Sequence, residues 1–534
     1  MNKKLKYWLL AAFFALQMPL QAQEKAPQNW FNLDAKTDQI QGVSTERSYK
    51  ELLKNKPSQT VIVAVIDSGV DPEHEDLKTK IWKNTDEIPN NGIDDDKNGY
   101  VDDVQGWNFI GGKDGKNIVQ DTYEMTRVYV KLKVKFEGKN ESEIGKEDKA
   151  DFETYQTVKK AFETKVGEMK AQHANVSNLY KKYVSGSKLL KAYFETEELT
   201  KEMVSGLESS DEKISLAQSV LMRGFTNGFN EESLKAYLAY LDDNLNYGYN
   251  ENFEPRNIVG DSYDNINEKN YGNNDVKGPD AKHGTHVAGI IAADRNNNLG
   301  MMGIAENVQI MPIRAVPGGD ERDKDIANAI FYAVDNGAKI INMSFGKAYS
   351  PQKAKVDEAV RYAESKGVLL IHAAGNSSEN IDVERNFPTR LFGDNQKSAG
   401  NWLEIGAFSW KKDEKSVGDF SNYGKKTVDL FAPGVDLYST TPDQKYESLS
   451  GTSMAAPVVS GVAALLMSYY PQLSLAQIKE IILKSVVKMD KEVIKPGSED
   501  EKIAFKELSI TGGVINAYEA VLMAEKMKTK MKSR

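Results

Sequence analysis

Three short stretches carry side chains that together could hydrolyse an acyl bond. Asp67 follows an apolar run from 60 to 66, His283 begins His283-Gly-Thr-His-Val-Ala-Gly289, and Ser453 lies in Gly451-Thr-Ser-Met-Ala-Ala-Pro457. A serine hydroxyl becomes a nucleophile when an imidazole takes its proton, and a carboxylate holds that imidazole in the required tautomer. The chain order of acid, base and nucleophile therefore predicts a catalytic triad of Asp67, His283 and Ser453.

Ser453 is placed at the start of a helix by the residues around it. Gly451 and Thr452 predict a corner from strand to helix, and the apolar run from 458 to 466 predicts a helix buried on most sides. Free N–H groups and the positive end of the helix dipole at such a site suit an oxyanion. An isolated Gly-Thr-Ser more often only caps a helix, so it is the presence of Asp67 and His283 that favours a nucleophile here.

The segments that hold these residues alternate between strand and helix. The apolar run from 60 to 66 is typical of a parallel strand covered on both faces. Predicted strands at 308–314, 338–344 and 368–374 alternate with helices that begin at His283, Asp325 and Ser350. This alternation predicts an α/β fold with a doubly wound, mainly parallel sheet flanked by helices, and chemistry at the carboxyl ends of its strands.

Residues 113 to 255 have a different character and are interpreted as an α-helical insertion. Apolar side chains spaced three or four apart from Phe152 to Tyr183 predict a long helix, which needs partner helices such as 216–221 or 234–241 to bury that stripe. Because the insertion begins and ends between Asp67 and His283, we expect it to rise beside the substrate cleft. The alternative is an outgrowth that touches nothing, since surface loops tolerate insertions.

The segments around the three triad residues resemble the signatures of the subtilase family of serine endopeptidases. They are Val65-Ile-Asp-Ser-Gly-Val70 and the two motifs quoted above for His283 and Ser453, and the resemblance covers roughly 58 to 112 and 256 to 485. It implies a subtilisin-like fold and hydrolysis of peptide bonds through a Ser453 acyl-enzyme. His283 is then the general base, Asp67 orients it, protein or peptide substrates are the partners, and no cofactor is implied for catalysis.

The resemblance also implies residues that bind the substrate. Ala373, Ala374, Gly375 and Asn376 resemble the segment whose asparagine amide donates to the oxyanion, so Asn376 and the Ser453 N–H are expected to form the oxyanion hole. Ser344, Phe345 and Gly346 resemble the segment that pairs with the extended substrate, with Phe345 where leucine is commoner. These segments contain no acidic residue, which favours apolar or mixed side chains over lysine or arginine at the cleaved position.

An acidic loop from 91 to 103 has the donor set of a calcium site. Its middle follows the opening of an EF-hand loop, although the terminal glutamate of that motif is absent. Carboxylates crowded into one short loop repel each other, which favours a structural calcium ion over a solvated acidic turn. The predicted ligands are Asp94, Asp96, Asn98, Asp102 and Asp103.

Composition narrows the class of protein further. The net charge of −9 over 534 residues argues against a nucleic-acid partner, and the absence of cysteine excludes disulfides and a thiol nucleophile. A basic start, an apolar run from Tyr7 to Leu16 and the small residue Ala22 predict a secretory signal, hence a periplasmic or extracellular location. No later stretch approaches the roughly 20 apolar residues of a membrane span.

The predicted organisation has five parts. They are a signal peptide (1–22), an N-terminal extension (23–57), a subtilisin-like catalytic domain (58–112 and 256–485), the helical insertion (113–255) and a C-terminal helical extension with a basic tail (486–534).

Two functions other than that of an endopeptidase are open to such a chain. One is an inactive relative that serves as a scaffold through the insertion, and the other is an esterase, although the Gly-x-Ser-x-Gly elbow of such enzymes is missing around Ser453.

Overall fold

The computed structural model describes residues 26 to 393 and 397 to 532, so the predicted signal peptide lies outside the described residues. The strands are β1 (Val61–Asp67), β2 (Trp107–Asn108), β3 (Val308–Arg314), β4 (Ile340–Met343), β5 (Leu369–Ala373), β6 (Leu391–Phe392), β7 (Lys397–Ser398), β8 (Trp402–Phe408), β9 (Leu430–Pro433), β10 (Leu437–Thr441), β11 (Lys445–Leu449), β12 (Val487–Lys488), β13 (Glu492–Ile494), β14 (Lys502–Ala504) and β15 (Gly513–Val514).

Nine of these strands form the central sheet, in the order β12-β15-β9-β8-β5-β4-β1-β3-β2. Every neighbouring pair is parallel except β12 with β15. The chain leaves β1 towards β3 on one side and returns to add β4, β5, β8 and β9 on the other. The predicted α/β fold with a doubly wound, mainly parallel sheet is therefore confirmed.

Helices cover both faces of this sheet. In chain order they are α1 (Thr45–Arg47), α2 (Glu124–Phe136), α3 (Lys149–Phe194), α4 (Lys201–Ser205), α5 (Glu212–Asn227), α6 (Glu231–Asp243), α7 (Lys282–Ala292), α8 (Asp323–Asp335), α9 (Lys353–Ser365), α10 (Thr452–Tyr469), α11 (Leu475–Lys484) and α12 (Ala517–Lys532). Val63 and Val65 of β1 face the core made with α7, α10, α11 and α12. Ala64 and Ile66 face the opposite core, made with α8 and α9. Both faces of β1 are thus buried, which explains its unbroken apolar sequence.

No stretch after the signal is predicted from the sequence to approach a membrane span, but helix α10 is long and apolar enough to cross a membrane, and it is the one such helix among the described residues. Its apolar window is 83% buried inside the fold. The helix packs against α7 and lies over strands β1, β4, β5, β8 and β9. Its composition is therefore that of a core helix, in agreement with the buried helix predicted behind Ser453.

The C-terminal extension is only partly helical, which corrects the prediction for residues 486 to 534. Strands β12 and β15 add to the central sheet, and β13 pairs with β14, before α12 begins. Val493, Phe505 and Leu508 are buried together with Phe431 of β9. Strands of two or three residues are too short to show the alternating pattern by which strands are recognised in a sequence.

The N-terminal extension packs into the domain that is built on the central sheet. Trp30 and Phe31 are fully buried in the core that holds α10 and α12. The Val43 carbonyl accepts a hydrogen bond from the Ala517 N–H at 2.7 Å, and the Ser44 Oγ accepts one from Asn516 Nδ2 at 2.9 Å. The extension therefore holds the start of α12 against the domain.

The insertion is built on the single helix α3, which is 46 residues long. Its first turns pack against α2, where Phe152 and Phe162 are buried with Tyr129 and Phe136. Further along, α3 packs against α5 and α6, which contain the predicted partner segments. His173 on this helix lies 3.0 Å (Nε2) from Asp242 Oδ1. The sequence pattern gave no indication that α2 is also a partner of α3.

Candidate active site

The carboxyl ends of three neighbouring strands gather the predicted active-site residues. Asp67 is the last residue of β1, Ser344 directly follows β4, and Asn376 lies three residues after β5. These strands are parallel neighbours, with Ile66 of β1 paired to Met343 of β4. Because adjacent strands lie about 4.8 Å apart, residues distant in sequence are brought to one edge of the sheet.

His283 is oriented by Asp67. The imidazole Nδ1 lies 2.7 Å from Asp67 Oδ1, which also accepts the Ser68 N–H at 2.8 Å. Asp67 is 2% exposed, whereas the His283 side chain is 38% exposed. An ionised carboxylate can only accept, so Nδ1 carries the proton and Nε2 keeps a free lone pair. That tautomer is the one that a general base on a serine hydroxyl requires.

The pKa of His283 lies above its ordinary value of 6.5. Burial of the imidazole lowers this pKa, but the charge of Asp67 and its hydrogen bond outweigh the effect of burial. The neighbouring His286 behaves differently, because burial lowers its pKa to about 4 while its Nε2 lies 3.0 Å from the Leu437 carbonyl oxygen. His283 is thus the histidine whose charged form the site stabilises.

Ser453 is the second residue of α10 and is fixed to the end of β4. Its hydroxyl donates to the Ser344 carbonyl oxygen at 3.2 Å, and the Ser344 hydroxyl donates to the Ser453 carbonyl oxygen at 2.9 Å. The Ser344 Oγ in turn accepts from Asn342 Nδ2 at 2.9 Å. In this conformation the Ser453 proton is directed at the Ser344 carbonyl oxygen, and catalytic hydrogen bonds commonly form or tighten only with substrate bound.

Two hydrogen-bond donors converge in front of Ser453. Asn376 Oδ1 accepts from the N–H and from the hydroxyl of Thr452, both at 2.9 Å, which leaves Nδ2 directed elsewhere. A Cβ built on Gly451 would lie 3.5 Å from Asn376 Nδ2 and 3.5 Å from the Ser453 N. Both donors therefore border one small space that is open because Gly451 has no side chain. An oxyanion in this space can accept from both.

Asn376→Leu is expected to lower kcat by about 10²–10³-fold with little change in KM, because leucine keeps the shape of asparagine but cannot donate to an oxyanion. Steady-state kinetics on a chromogenic peptide measure the effect, and the exposed neighbour Ser377→Ala is the matched control. An unchanged kcat for Asn376→Leu in a folded protein would place the oxyanion hole elsewhere.

Ser453 and Asn376 open into a cavity of about 550 Å³. The predicted residues Phe345, Gly346, Ala373 and Gly375 line it, while Ala374 is buried behind it.

The cavity also has charged lining residues that the sequence analysis missed, namely Lys165, Asp320, Lys347, Glu379 and Arg385. The recognised segments at 344–346 and 373–376 contain no acidic residue, so the acidic side chains of the cavity come from elsewhere in the chain. Glu379 and Asp320 stand outside the recognised segments, and only the folding of their loops brings them to the cavity.

His372 supports the predicted substrate-binding segment from behind. It is fully buried in β5, with Nε2 2.8 Å from the Phe345 carbonyl oxygen and Nδ1 2.8 Å from Glu404 Oε1. A carbonyl oxygen can only accept, so Nε2 carries a proton and holds the backbone at Phe345. A histidine within an apolar strand requires a buried polar partner, but the sequence does not show that this partner is Glu404.

The insertion reaches the same cavity. Tyr123, Met125, Lys165 and Tyr249 are among its lining residues. At the base of α2, the Glu124 carboxylate is buried 2.8 Å from the Lys347 Nζ, directly after the Phe345–Gly346 segment. The insertion is therefore tied by a buried ion pair to the wall of the cavity.

The acidic loop brings together only part of the predicted ligand set. Carboxylate oxygens of Asp96 and Asp103 lie within 4.8 Å of each other and of Glu87, which the sequence analysis did not include. Asn98 lies against the same group, because its Nδ2 donates to Asp96 Oδ2 at 3.0 Å and to Asp103 Oδ2 at 3.1 Å. The other two predicted ligands support the loop backbone: Asp94 accepts from the Gly99 N–H at 2.9 Å, and Asp102 accepts from the Gly92 N–H at 2.9 Å. Burial raises the pKa of Asp103 to about 6.

Comparison with known proteins gives the family of the chain. The chain is 42% identical over 187 residues to the thermophilic serine proteinase of Bacillus sp. (strain AK1), 37% over 199 residues to subtilisin DY of Bacillus licheniformis and 41% over 187 residues to thermitase of Thermoactinomyces vulgaris. These alignments cover 35%, 37% and 35% of this chain, and 42%, 67% and 61% of the relatives. The profile of the Subtilase family matches residues 58–504, which is most of the sequence. The chain belongs to the Subtilase family.

Proposed function

We propose that the protein is a secreted serine endopeptidase that hydrolyses peptide bonds through an acyl-enzyme on Ser453. The observation that carries the proposal is the 2.7 Å hydrogen bond between His283 Nδ1 and Asp67 Oδ1 at the end of β1. It lies beside the end of β4, where Ser344 holds Ser453. The same activity is supported by the membership of the chain in the Subtilase family and by its 42% sequence identity over 187 residues to the thermophilic serine proteinase.

The proposed reaction begins with proton transfer from the Ser453 hydroxyl to His283 Nε2. The Ser453 Oγ forms a bond to the substrate carbonyl carbon, and Asn376 Nδ2 and the Ser453 N–H donate to the resulting oxyanion. His283 then protonates the leaving amine as the peptide bond breaks. A water molecule gives a proton to His283 and bonds to the acyl carbon, and His283 returns that proton to Ser453 Oγ as the bond between Oγ and the acyl carbon breaks. Each proton transfer has a side chain of this chain as donor or acceptor, so the proposal includes no catalytic cofactor.

Hydrolysis of casein compared with a short-chain ester tests the proposal against the esterase alternative. The open cavity beside Ser453 and the missing esterase elbow favour an extended peptide substrate. We expect casein to be cut at internal bonds by the wild type, with fragments that appear on mass spectrometry. Hydrolysis of the ester without cleavage of casein or peptides would contradict the endopeptidase and favour the esterase.

Secretion is proposed from the basic, apolar and small residues of positions 1 to 22. A cut near Ala22 would keep Trp30, which is buried in the main core. N-terminal sequencing of the exported protein is expected to begin near Gln23, and a retained Met1 would contradict the proposal.

We propose that the acidic loop holds a structural calcium ion. Glu87, Asp96 and Asp103 offer three converging carboxylates, the hard oxygen ligands that calcium prefers. A cation would offset the mutual repulsion of these partly buried charges. Asp94 and Asp102 would then act by shaping the loop around the ion, while the Asn98 side chain lies directly against Asp96 and Asp103.

Chelation is expected to lower the melting temperature of the wild type, and Asp96→Asn/Asp103→Asn is expected to remove most of this response. Binding to the folded state alone stabilises a protein by about 2.7 kcal/mol at a hundredfold excess of ligand over its Kd. Thermal unfolding with calcium and with EDTA measures the difference, and the exposed Asp86→Asn is the matched control. An equal shift in the wild type and the double variant would show that the ion lies elsewhere.

A further inference from the structure

We propose that the insertion supplies a substrate-binding subsite beside Ser453, formed by Tyr123, Met125, Lys165 and Tyr249, for an aromatic or large aliphatic side chain of the peptide. The inference rests on the proposed endopeptidase activity and adds a determinant of its specificity. It assigns to the insertion a role in choosing substrates.

The position of these four residues is the first support. They line the same cavity as Ser453 and Asn376, and they come from three separate parts of the insertion. Tyr123, Met125 and Tyr249 are half-buried, so part of each side chain stays open to the cavity. Phe345 and Tyr349, from the chain after β4, line the same space. A peptide bound along the Ser344–Gly346 segment would therefore pass between the catalytic domain and the insertion.

The chemistry of the lining selects the kind of side chain. The rings of Tyr123 and Tyr249 lie 4.8 Å apart between centroids, tilted by 55°. The Tyr123 hydroxyl lies 2.7 Å from Asn244 Oδ1 and donates to it, and burial raises the pKa of Tyr249 to about 12, so both phenols are neutral. Tilted rings and a flexible thioether make favourable contacts with an aromatic or large aliphatic group.

Lys165 gives this subsite a charged rim. It is exposed on α3 and lines the cavity together with Glu379. Burial and the charge of Glu384 raise the pKa of Glu379, and the positive charge of Lys165 acts against this rise. A substrate residue at the rim is therefore exposed to the charge of Lys165. This position can be changed without disturbing packing, because an exposed helical lysine contributes little to the fold.

The subsite is held in place by buried charges at the base of α2. Lys347 Nζ lies 2.8 Å from Glu124 Oε2 and 2.8 Å from Asp323 Oδ1. Arg127 Nη2 donates to the Asp320 and Glu321 carbonyl oxygens at 3.1 and 3.2 Å. A wall fixed before the substrate arrives loses less conformational freedom on binding, and this favours selectivity.

The two ends of the insertion are also joined near the cavity. The Tyr123 N–H donates to the Gly248 carbonyl oxygen at 2.9 Å, and the Thr126 hydroxyl donates to the same oxygen at 2.7 Å. The first and last helical segments of the insertion therefore present Tyr123 and Tyr249 side by side.

A peptide series tests the subsite. Fluorogenic peptides carry one phenylalanine, moved through successive positions on either side of the cleaved bond in an otherwise alanine sequence. For the wild type we expect kcat/KM to rise about tenfold at one position, the size expected for burying an aromatic ring. In Met125→Ala and Tyr249→Ala this advantage, measured as the ratio of kcat/KM for the phenylalanine peptide to kcat/KM for the all-alanine peptide, should fall to about twofold.

A charge reversal provides a second test that does not depend on core packing. Two further peptides carry glutamate or lysine at the preferred position or at a position next to it. The ratio of kcat/KM for the glutamate peptide to kcat/KM for the lysine peptide is expected to be about threefold lower in Lys165→Glu than in the wild type, the scale of an exposed charge pair. The matched control is Lys160→Glu, which is also exposed on α3 but does not line the cavity.

Active-site titration with a fluorophosphonate separates the failure of the subsite from the failure of the enzyme. A wild type that is labelled and cleaves peptides, but shows no positional preference, or variants that keep the full preference, would overturn the subsite and leave the endopeptidase standing. A folded wild type that neither reacts with the probe nor cleaves any peptide would overturn the proposed function, and the subsite with it.

Discussion

Ser453→Ala is expected to lower kcat on peptide substrates by about 10⁶-fold, the scale of loss when the nucleophile of such a triad is removed. The fold should remain, because the hydroxyl makes one hydrogen bond, to the Ser344 carbonyl oxygen at 3.2 Å, worth about 1 kcal/mol. The backbone carbonyl of Ser453 still accepts from Ser344 in the variant. Single-turnover kinetics on a chromogenic peptide and a thermal melt measure the two effects.

Ser450→Ala is the matched control for this loss. Ser450 is exposed three residues earlier at the same corner, where its Oγ accepts the Asp436 N–H at 2.9 Å. Its replacement should change kcat by less than about twofold, the range of surface substitutions. Turnover by Ser453→Ala close to that of Ser450→Ala would rule out the acyl-enzyme on Ser453.

Asp67→Asn is expected to lower kcat by about 10⁴-fold near neutral pH, since an asparagine does not hold the imidazole in the required tautomer. The pH profile should change as well. A protonated imidazole has no lone pair, so in the wild type kcat/KM falls as the pH drops through the His283 pKa, which lies above 6.5. Without the carboxylate, burial lowers that pKa, and the acidic limb should move to lower pH.

Asp280→Asn is the graded control for Asp67→Asn. Asp280 raises the pKa of His283 through its charge alone and is not hydrogen-bonded to the ring, whereas Asp67 acts through both. We expect a smaller shift of the acidic limb in the same direction, without the large loss of kcat. Profiles of kcat/KM against pH for the three proteins measure this order. An acidic limb that does not move in Asp67→Asn would show that His283 is not the base that titrates.

Features fixed by local sequence were predicted well. Strand β3 runs from Val308 to Arg314 as predicted, because an apolar run between polar turns marks a buried strand. Helix α7 begins at Lys282, one residue before the predicted start at His283. Asp67 is the last residue of the buried strand β1, and Ser453 is the second residue of the buried helix α10. Their approximate place at one edge of the sheet therefore followed from strand order and direction.

Features fixed by tertiary packing could not be predicted in the same way. Glu87 lies outside the 91–103 loop and joins Asp96 and Asp103 only through the path of the folded chain. His372 finds Glu404 in the neighbouring strand β8, a pairing set by the order of strands in the sheet. Helix α9 begins at Lys353, three residues after the predicted Ser350, whose Oγ instead lies 2.9 Å from Asp323 Oδ1.

The central claim is that Ser453 is the nucleophile and His283 is its base, and the most direct measurement is the site of phosphonylation. The folded protein is treated with a fluorophosphonate, digested and mapped by mass spectrometry. We predict one phosphonyl group, on the peptide that contains Ser453, and no labelling in His283→Ala. A folded wild type that stays unlabelled, or that carries the group on another residue, would contradict the account.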